Sequence, residues 1–473
     1  MSAQSADLRR LALTVQLAAF PGPDFAPAAA RLLEHGLGGV CLFGSNTAAA
    51  PDALAMLVRR AHEAGERALV AIDEEGGDVT RLHTRTGSTS PGNAVLGVVD
   101  DVAVTADIAR QLGLELAALG IDLNLAPVAD VNSNPDNPII GVRSFGSEPG
   151  LVARHVAAWV DGLQSAGVSA CAKHFPGHGD TSSDSHTGLP RVDASAGVLR
   201  ERELVPFAAA VDTGVEAVMT SHVLLPAIDR ERPATLSPAV LGMLRTELGF
   251  EGAIVTDALD MAGASGGGRG VPEAAVLALS AGADLLCLGA DKDATLVESV
   301  ADAVVDAVRG GRLPEARLRD AAARTHALAR VRGSAGGPSE APDNVAAARR
   351  ALRVEGTLPR LADALVVRVD TAPTIAVGEV PWGLDAEVVL KPGAELEAGT
   401  RPVVVQVRDL HRHSEVGAMV VAITRTGREV VVIEWGWPAA SDMPVPRICT
   451  YGASTASREA VRQLLRESTG WTP

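Results

Sequence analysis

A chain of 473 residues is too long for one ordinary hydrophobic core, so two domains are the starting expectation. Its net charge of −16 argues against nucleic acid and anionic membrane as partners. Ala, Val, Leu and Gly dominate and aromatic residues make up 3%, which suits a packed α/β protein and excludes a disordered one.

At the N-terminus, Arg9-Arg10 precedes an apolar run over 11–20, as in a secretory leader. Acidic Asp7, internal Gln16 and the lack of a small-x-small cleavage site favour a first strand instead. No stretch is long enough to span a bilayer, and the cytoplasm is the expected location. The four cysteines, Cys41, Cys171, Cys287 and Cys449, stand apart in or beside apolar runs. Buried free thiols are expected, with no disulfide framework and no CxxC site.

From residue 11 to about 310, short apolar runs alternate with helix-like segments. Strands are expected at 13–20, 39–43, 68–72, 123–128, 170–173, 217–221, 253–256 and 284–288. Helices are expected at 27–35, 52–64, 101–119, 151–166, 199–213, 237–248, 273–281 and 293–308. Eight β/α units is the count of a (β/α)8 barrel of the TIM type. The strands are apolar on both faces, as a buried parallel sheet requires. A doubly wound sheet of this length is the alternative, but it would not collect polar residues at nearly every strand end. Near 330–344 the composition turns to Gly, Ser and Pro. The expected division is therefore a barrel domain at 1–332, a linker at 333–346 and a smaller open α/β sandwich domain at 347–473. In that last part strands are expected at 364–369, 374–377, 402–407, 418–423 and 430–434, and a helix at 457–466.

The strand ends carry the chemistry. The third ends in Asp73-Glu74-Glu75-Gly76-Gly77, with Arg81 close behind. The fourth leads into Asp130, Asn132 and Asn134, and then to Arg143. The fifth delivers Lys173 and His174, the sixth His222, and the seventh Asp257 and Asp260. A barrel builds its site from one ring of strand ends, so these positions are expected to converge. The richest stretch follows the fifth strand, where Lys173, His174, His178, Asp180, Asp184 and His186 fall among prolines and glycines. A metal site at His174, His178 and Asp180 is one reading of it. Pro176 and Gly177 argue against the helix that would bring the two histidines onto one face. A loop held by its own side-chain to backbone hydrogen bonds is the plainer reading.

The run Lys173-His174-Phe175-Pro176-Gly177-His178-Gly179-Asp180-Thr181, followed by Asp184-Ser185-His186, resembles the signature loop of glycoside hydrolase family 3, in its NagZ-type β-N-acetylglucosaminidase branch. The resemblance covers roughly residues 11–310, and the C-terminal part is similar to the second domain of many members. It implies that Asp257, in Thr256-Asp257-Ala258-Leu259, is the nucleophile. On its residues alone Asp257 could also cap a helix, and Asp260 is its rival. The resemblance further implies His186 as general acid/base, oriented by Asp184, in place of the second carboxylate most glycosidases use. A histidine titrates near neutrality, so it can give a proton to the leaving oxygen and later take one from water. Substrate hydroxyls would be met by Asp73, Arg81, Arg143, Lys173 and His174, with His222 a further candidate. Glu74 and Glu75 would orient basic side chains. Asp409, His411 and His413 of the second domain could face the site, and Trp435 and Trp437 could stack on sugar or lie buried between the domains.

The expected activity is retaining hydrolysis of terminal β-linked N-acetylglucosamine, a small carbohydrate substrate, with no cofactor, no nucleic acid and no membrane. Phosphorolysis on the same residues is the near alternative, and β-glucosidase activity a more distant one. A metal-dependent hydrolase and a non-catalytic sugar-binding barrel are readings from other classes. Peptidoglycan fragments and chitin oligosaccharides both fit as natural substrates.

Overall fold

A computed structural model describes residues 3–47, 51–184, 188–329, 341–371, 374–440, 443–471 and 473. Eight parallel strands form one sheet: β1 (Gln16–Ala18), β2 (Gly39–Leu42), β3 (Leu69–Ile72), β4 (Leu123–Asn124), β5 (Ser169–Phe175), β6 (Ala217–Thr220), β7 (Ala253–Val255) and β8 (Leu286–Cys287). Their order is β8-β1-β2-β3-β4-β5-β6-β7, and a parallel bridge from Val255 to Leu285 joins the two ends into a ring. Helices follow the strands on the outside, which is the (β/α)8 arrangement expected. Alternate side chains divide between two apolar layers. Leu17, Cys41, Leu69, Ala71, Cys171, Met219 and Val255 fill the barrel interior. Val40, Val70, Ile72, Ala170, Ala172 and Val218 meet the helices.

The first strand is shorter than the apolar run suggests. Residues Ala3–Thr14 form a helix, and only Gln16–Ala18 pair in the barrel. Leu8 and Ala12, four apart, are buried against the last barrel helices, Ala294–Arg309 and Glu315–Leu328. An apolar run can serve a helix face or a strand equally well, and here it serves both in succession.

The second unit is a six-stranded sheet of β9 (Arg353–Glu355), β10 (Leu365–Val369), β11 (Val388–Leu390), β12 (Val403–Val407), β13 (Val430–Glu434) and β14 (Arg447–Cys449). The order is β9-β14-β13-β12-β10-β11, parallel except where β9 meets β14. Val403, Val405 and Val407 pack on the helix Ser414–Thr424, while Val404 faces the helix Thr455–Thr469 on the opposite side. The expected strand over 418–423 is part of that first helix. Val416, Met419, Val420 and Ile423 are buried at helical spacing, which overrides the β-branched composition. Residues 374–377 form a turn rather than a strand. Of the expected linker, 333–340 lie outside the described residues, and 344–346 already begin the helix Asn344–Ala351.

All four cysteines are buried free thiols, as expected. Cys41 and Cys287 nevertheless meet inside the barrel, and that contact together with burial raises the Cys41 thiol well above its ordinary range. No described helix is long and apolar enough to cross a membrane.

Candidate active site

A cavity of about 320 Å³ opens at the C-terminal ends of the barrel strands. Asp73, Glu75, Arg81, Arg143, Lys173, His174, His178, Asp257 and Asp260 line it beside apolar Phe43, Ile139, Ile140, Met219 and Met261. Six of the expected site residues thus meet here: Asp73, Arg81, Arg143, Lys173, His174 and Asp257.

The floor is an ion-pair lattice. Lys173 is 2% exposed, and its Nζ donates to Asp73 Oδ1 at 2.6 Å and stands 2.8 Å from Glu75 Oε1. Arg143 donates to the same Glu75 through Nε at 3.0 Å and Nη2 at 2.8 Å, and its Nη1 donates to the Ile139 carbonyl at 3.1 Å. Burial alone would raise the Glu75 carboxyl, but Arg143 and Lys173 outweigh it and hold the group well below the usual carboxylate range. Burial would likewise depress Lys173, and Asp73 and Glu75 reverse that, so the lysine stays charged. Glu74 turns away from the lattice. It accepts from the main-chain N–H groups of Arg81 and Leu82 and fixes the loop after β3.

His174 is oriented by a residue missing from the expected set. Its Nδ1 donates to Asp130 at 2.7 Å, while Arg143 Nη2 lies 3.5 Å from Nε2. Asp130 also accepts from the N–H of His178 at 2.7 Å. Although burial opposes it, His174 holds the Asp130 carboxyl below its ordinary value. The polar cluster after β4 was visible in the sequence, but nothing local showed which of its members reaches the histidine. His178 is buried and lowered to about 4, chiefly by desolvation, and Thr181 Oγ1 meets its Nδ1 at 2.7 Å.

The loop after β5 is stitched to the loop after β4. Asn137 donates to the His178 carbonyl at 2.8 Å, and Asn134 donates to the Thr181 carbonyl at 3.2 Å. A Cβ at Gly179 would stand 1.8 Å from the Val131 carbonyl oxygen, so only glycine fits that crossing. Asp180 does not join His174 and His178. Its carboxylate is taken by Arg202 Nη2 at 2.7 Å and by Ser133 at 3.3 Å. No group of three metal-ligating side chains occurs among the described residues.

Beneath this loop, Arg202 also donates to Glu203 at 2.6 Å. Burial pushes the Glu203 carboxyl from 4.5 up to about 7. A group raised in the folded state stabilises it fully below 4.5 and loses that contribution as pH climbs through 7. Glu203→Gln should therefore gain stability relative to wild type across that window, by an amount on the order of 2 kcal/mol at pH 8. Parallel denaturant titrations at pH 4.5 and 8 measure the difference, and an equal difference at both pH values would refute it.

Asp257 follows β7, is half-buried and accepts from the Ala258 N–H at 2.7 Å. Asp260 also lines the cavity but is ion-paired with Lys292 at 2.7 Å and packed against Gly289. Both carboxylates after β7 therefore reach the cavity, Asp260 as the partner of Lys292. His222 sits below, with Nδ1 on Thr235 at 2.9 Å and Nε2 on the Ala258 carbonyl at 2.9 Å. It supports the turn that carries Asp257 and does not line the cavity. Asp184 is partly buried and does not line it either, and His186 lies outside the described residues.

The second domain touches this rim. Arg81 Nη2 donates to the Ala376 carbonyl at 2.8 Å, and Ile375 and Ala376 line the cavity mouth. Asp78, on the same loop, accepts from the Ala453 N–H at 2.7 Å and pairs with Arg408 at 3.4 Å. His411 bonds the Pro135 carbonyl at 2.9 Å, a contact between the domains rather than with the cavity. Trp435 is buried in the second domain's own core, where Nε1 donates to Gln406 at 3.1 Å.

The glycosyl hydrolase family 3 N-terminal domain matches residues 14–328. Beta-hexosaminidase LpqI of Mycobacterium tuberculosis is 38% identical over 304 residues, 62% of this chain and 75% of that protein. Beta-hexosaminidase A of Pseudoalteromonas piscicida is 39% identical over 254 residues, which span 49% of this chain and only 42% of that longer protein. Among solved structures, a family 3 β-N-acetylglucosaminidase from a Paenibacillus species superposes with a TM-score of 0.85 at 31% identity, covering 98% of this chain and 97% of its own. The β-N-acetylhexosaminidase of Beutenbergia cavernae, 31% identical with a TM-score of 0.60, matches over 98% of its length but only 68% of this chain. A charged cavity at the strand ends of a (β/α)8 barrel, within a two-domain course shared along its whole length with a solved member, carries one conclusion: this chain belongs to glycosyl hydrolase family 3 and is a glycoside hydrolase.

Proposed function

We propose that the chain is a retaining exo-β-N-acetylglucosaminidase. The observation that carries this is the convergence of Asp257 with Asp73, Arg143, Lys173 and His174 on one cavity. Asp257 attacks the anomeric carbon, the glycosidic bond breaks, and a covalent glycosyl-enzyme forms. His186, two residues beyond Asp184 in the chain, protonates the departing oxygen and then takes a proton from the water that releases the sugar. Asp184 keeps the imidazole in the right tautomer and favours its charged form. Asp73 accepts from ring hydroxyls, and the cations Lys173 and Arg143 donate to them. His174, whose Nδ1 proton is committed to Asp130, offers Nε2 to the ring. A sugar lacking a matching hydroxyl would leave one of these buried groups unpaired, which is a strong basis for discrimination.

The names of the similar proteins, β-hexosaminidase and β-N-acetylglucosaminidase, support the N-acetyl sugar. The four free thiols favour a reducing compartment, and the cytoplasm is our reading. The test is turnover of 4-nitrophenyl N-acetyl-β-glucosaminide and of the matching β-glucoside, with and without phosphate. Release from the N-acetyl sugar alone, at a rate independent of phosphate, is expected. Sugar 1-phosphate as product would make the enzyme a phosphorylase instead. Because Asp180 is committed to Arg202, EDTA should leave the rate unchanged, and a loss that zinc restores would overturn the metal-free mechanism.

A further inference from the structure

Ile375 is the anomaly of the second domain. It is 59% exposed, more than any other large apolar side chain among the described residues, and it stands at the mouth of the catalytic cavity. The cavity floor around Lys173, Arg143 and Glu75 is charged and buried, and it suits the hydroxyls of one terminal ring. The mouth differs in kind. Exposed Ile375 and the half-buried Ala376, Ala290 and Phe43 give it an apolar side. A ring held on the floor directs its leaving group toward this mouth, which Ile375 helps to line.

The turn bearing Ile375 is held from the barrel. Arg81 reaches across to the Ala376 carbonyl, and Asp78 on the same barrel loop is tied to Arg408 and Ala453. The lip is therefore bolted to the loop that carries Asp73 and Glu75.

We propose that Ile375 is a specificity-determining residue for the leaving group, and that it selects aglycones presenting an apolar face, such as a second pyranose ring or an aryl group, over small acyclic ones. This deepens the reading of an exo-acting N-acetylglucosaminidase and rests on it. The second domain acts here by contact with the aglycone, without supplying an acid or a nucleophile. Loss of one such contact is worth roughly tenfold in selectivity.

The experiment compares wild type, Ile375→Ala and the conservative Ile375→Leu on three substrates: N,N′-diacetylchitobiose, the 4-nitrophenyl glycoside and the methyl glycoside of N-acetylglucosamine. Variant-to-wild-type ratios cancel the intrinsic reactivity of each leaving group. Expected for Ile375→Ala is about a tenfold fall in kcat/KM on the disaccharide and the aryl glycoside, through KM. The methyl glycoside and inhibition by free N-acetylglucosamine should be unchanged, and Ile375→Leu should restore most of the loss. Equal ratios on all three substrates, or weaker inhibition by the monosaccharide, would overturn the proposal. Calorimetric binding of diacetylchitobiose is measured in parallel with Asp257→Asn, with and without Ile375→Ala. Wild type inert on all three substrates would refute the hydrolase reading, while this binding arm still decides the role of Ile375.

Discussion

In the proposed mechanism, Asp257→Asn should lower kcat by about a thousandfold or more, because the covalent step loses its nucleophile and not merely an orienting contact. Asn keeps the size of the side chain and can still accept from the Ala258 N–H, so the turn after β7 has no reason to rearrange. His222 continues to hold the Ala258 carbonyl from below. KM should change little, since the hydroxyl partners on the floor are untouched. The informative companion is Asp260→Asn. Asp260 is committed to Lys292 at the cavity edge, so this variant should keep activity within about threefold of wild type. Steady-state kinetics on the 4-nitrophenyl substrate, with circular dichroism to verify folding, checks both. Substantial turnover in Asp257→Asn together with a dead Asp260→Asn would exchange the two assignments. Azide should partly rescue the Asp257→Ala variant by attacking the face the carboxylate vacates, and the α-configured glycosyl azide would identify the step that was lost.

Glu75→Ala is expected to damage stability and catalysis together. The carboxylate is the shared acceptor of Arg143 and Lys173, and all three groups are buried. Removing one partner of a buried ion pair leaves uncompensated charge, which costs about 3–5 kcal/mol. The two cations would then repel each other on the cavity wall, where the proposed mechanism holds the sugar. A misplacement of this kind costs about a hundredfold in kcat/KM. The pH dependence carries a definite sign. Glu75 is held below its ordinary value in the folded state, so its contribution is present above the usual carboxylate range and is lost as pH falls. The stability gap between wild type and Glu75→Ala should therefore be widest near pH 7 and close toward acid pH. Urea titrations at pH 7 and pH 2 measure it, since most of the loss falls well below the usual carboxylate range, and a gap independent of pH would show that packing rather than charge is what was removed.

Both variants address residues that the chain displays openly, yet the reason each matters was not equally visible. Asp257 follows an apolar strand, where a carboxylate is costly unless it faces a polar site, but on its residues alone it could also cap a helix, and only the resemblance pointed to a nucleophile. Glu75 is one of three acids in a row, and nothing local distinguishes it from Glu74. Asp130 was visible at a strand end, but its hold on His174 depends on two neighbouring strands. His222, at the end of a strand, could equally be a ligand or a satisfied histidine of the barrel rim. Its ring nitrogens bond Thr235 and the Ala258 carbonyl, contacts that depend on loops far along the chain. In the second domain, the apolar run 418–423 has strand composition but forms a helix, since a run that short fits either period until a sheet and its neighbours decide.

By itself the sequence determined the number of β/α units, the parallel barrel they close into, and the ring of strand ends where chemistry must gather. Those features follow from local periodicity and from the rule that a buried parallel sheet keeps its polar residues at the ends of its strands. Only the tertiary structure decided how charge is shared inside that ring. Glu75 and Arg143 are 68 positions apart, and their pairing depends on which strands become neighbours on closure. The same holds for the lip. A turn in a separate domain reaches the cavity because Arg81 holds its backbone, and no spacing along a chain encodes a contact between two independently built cores.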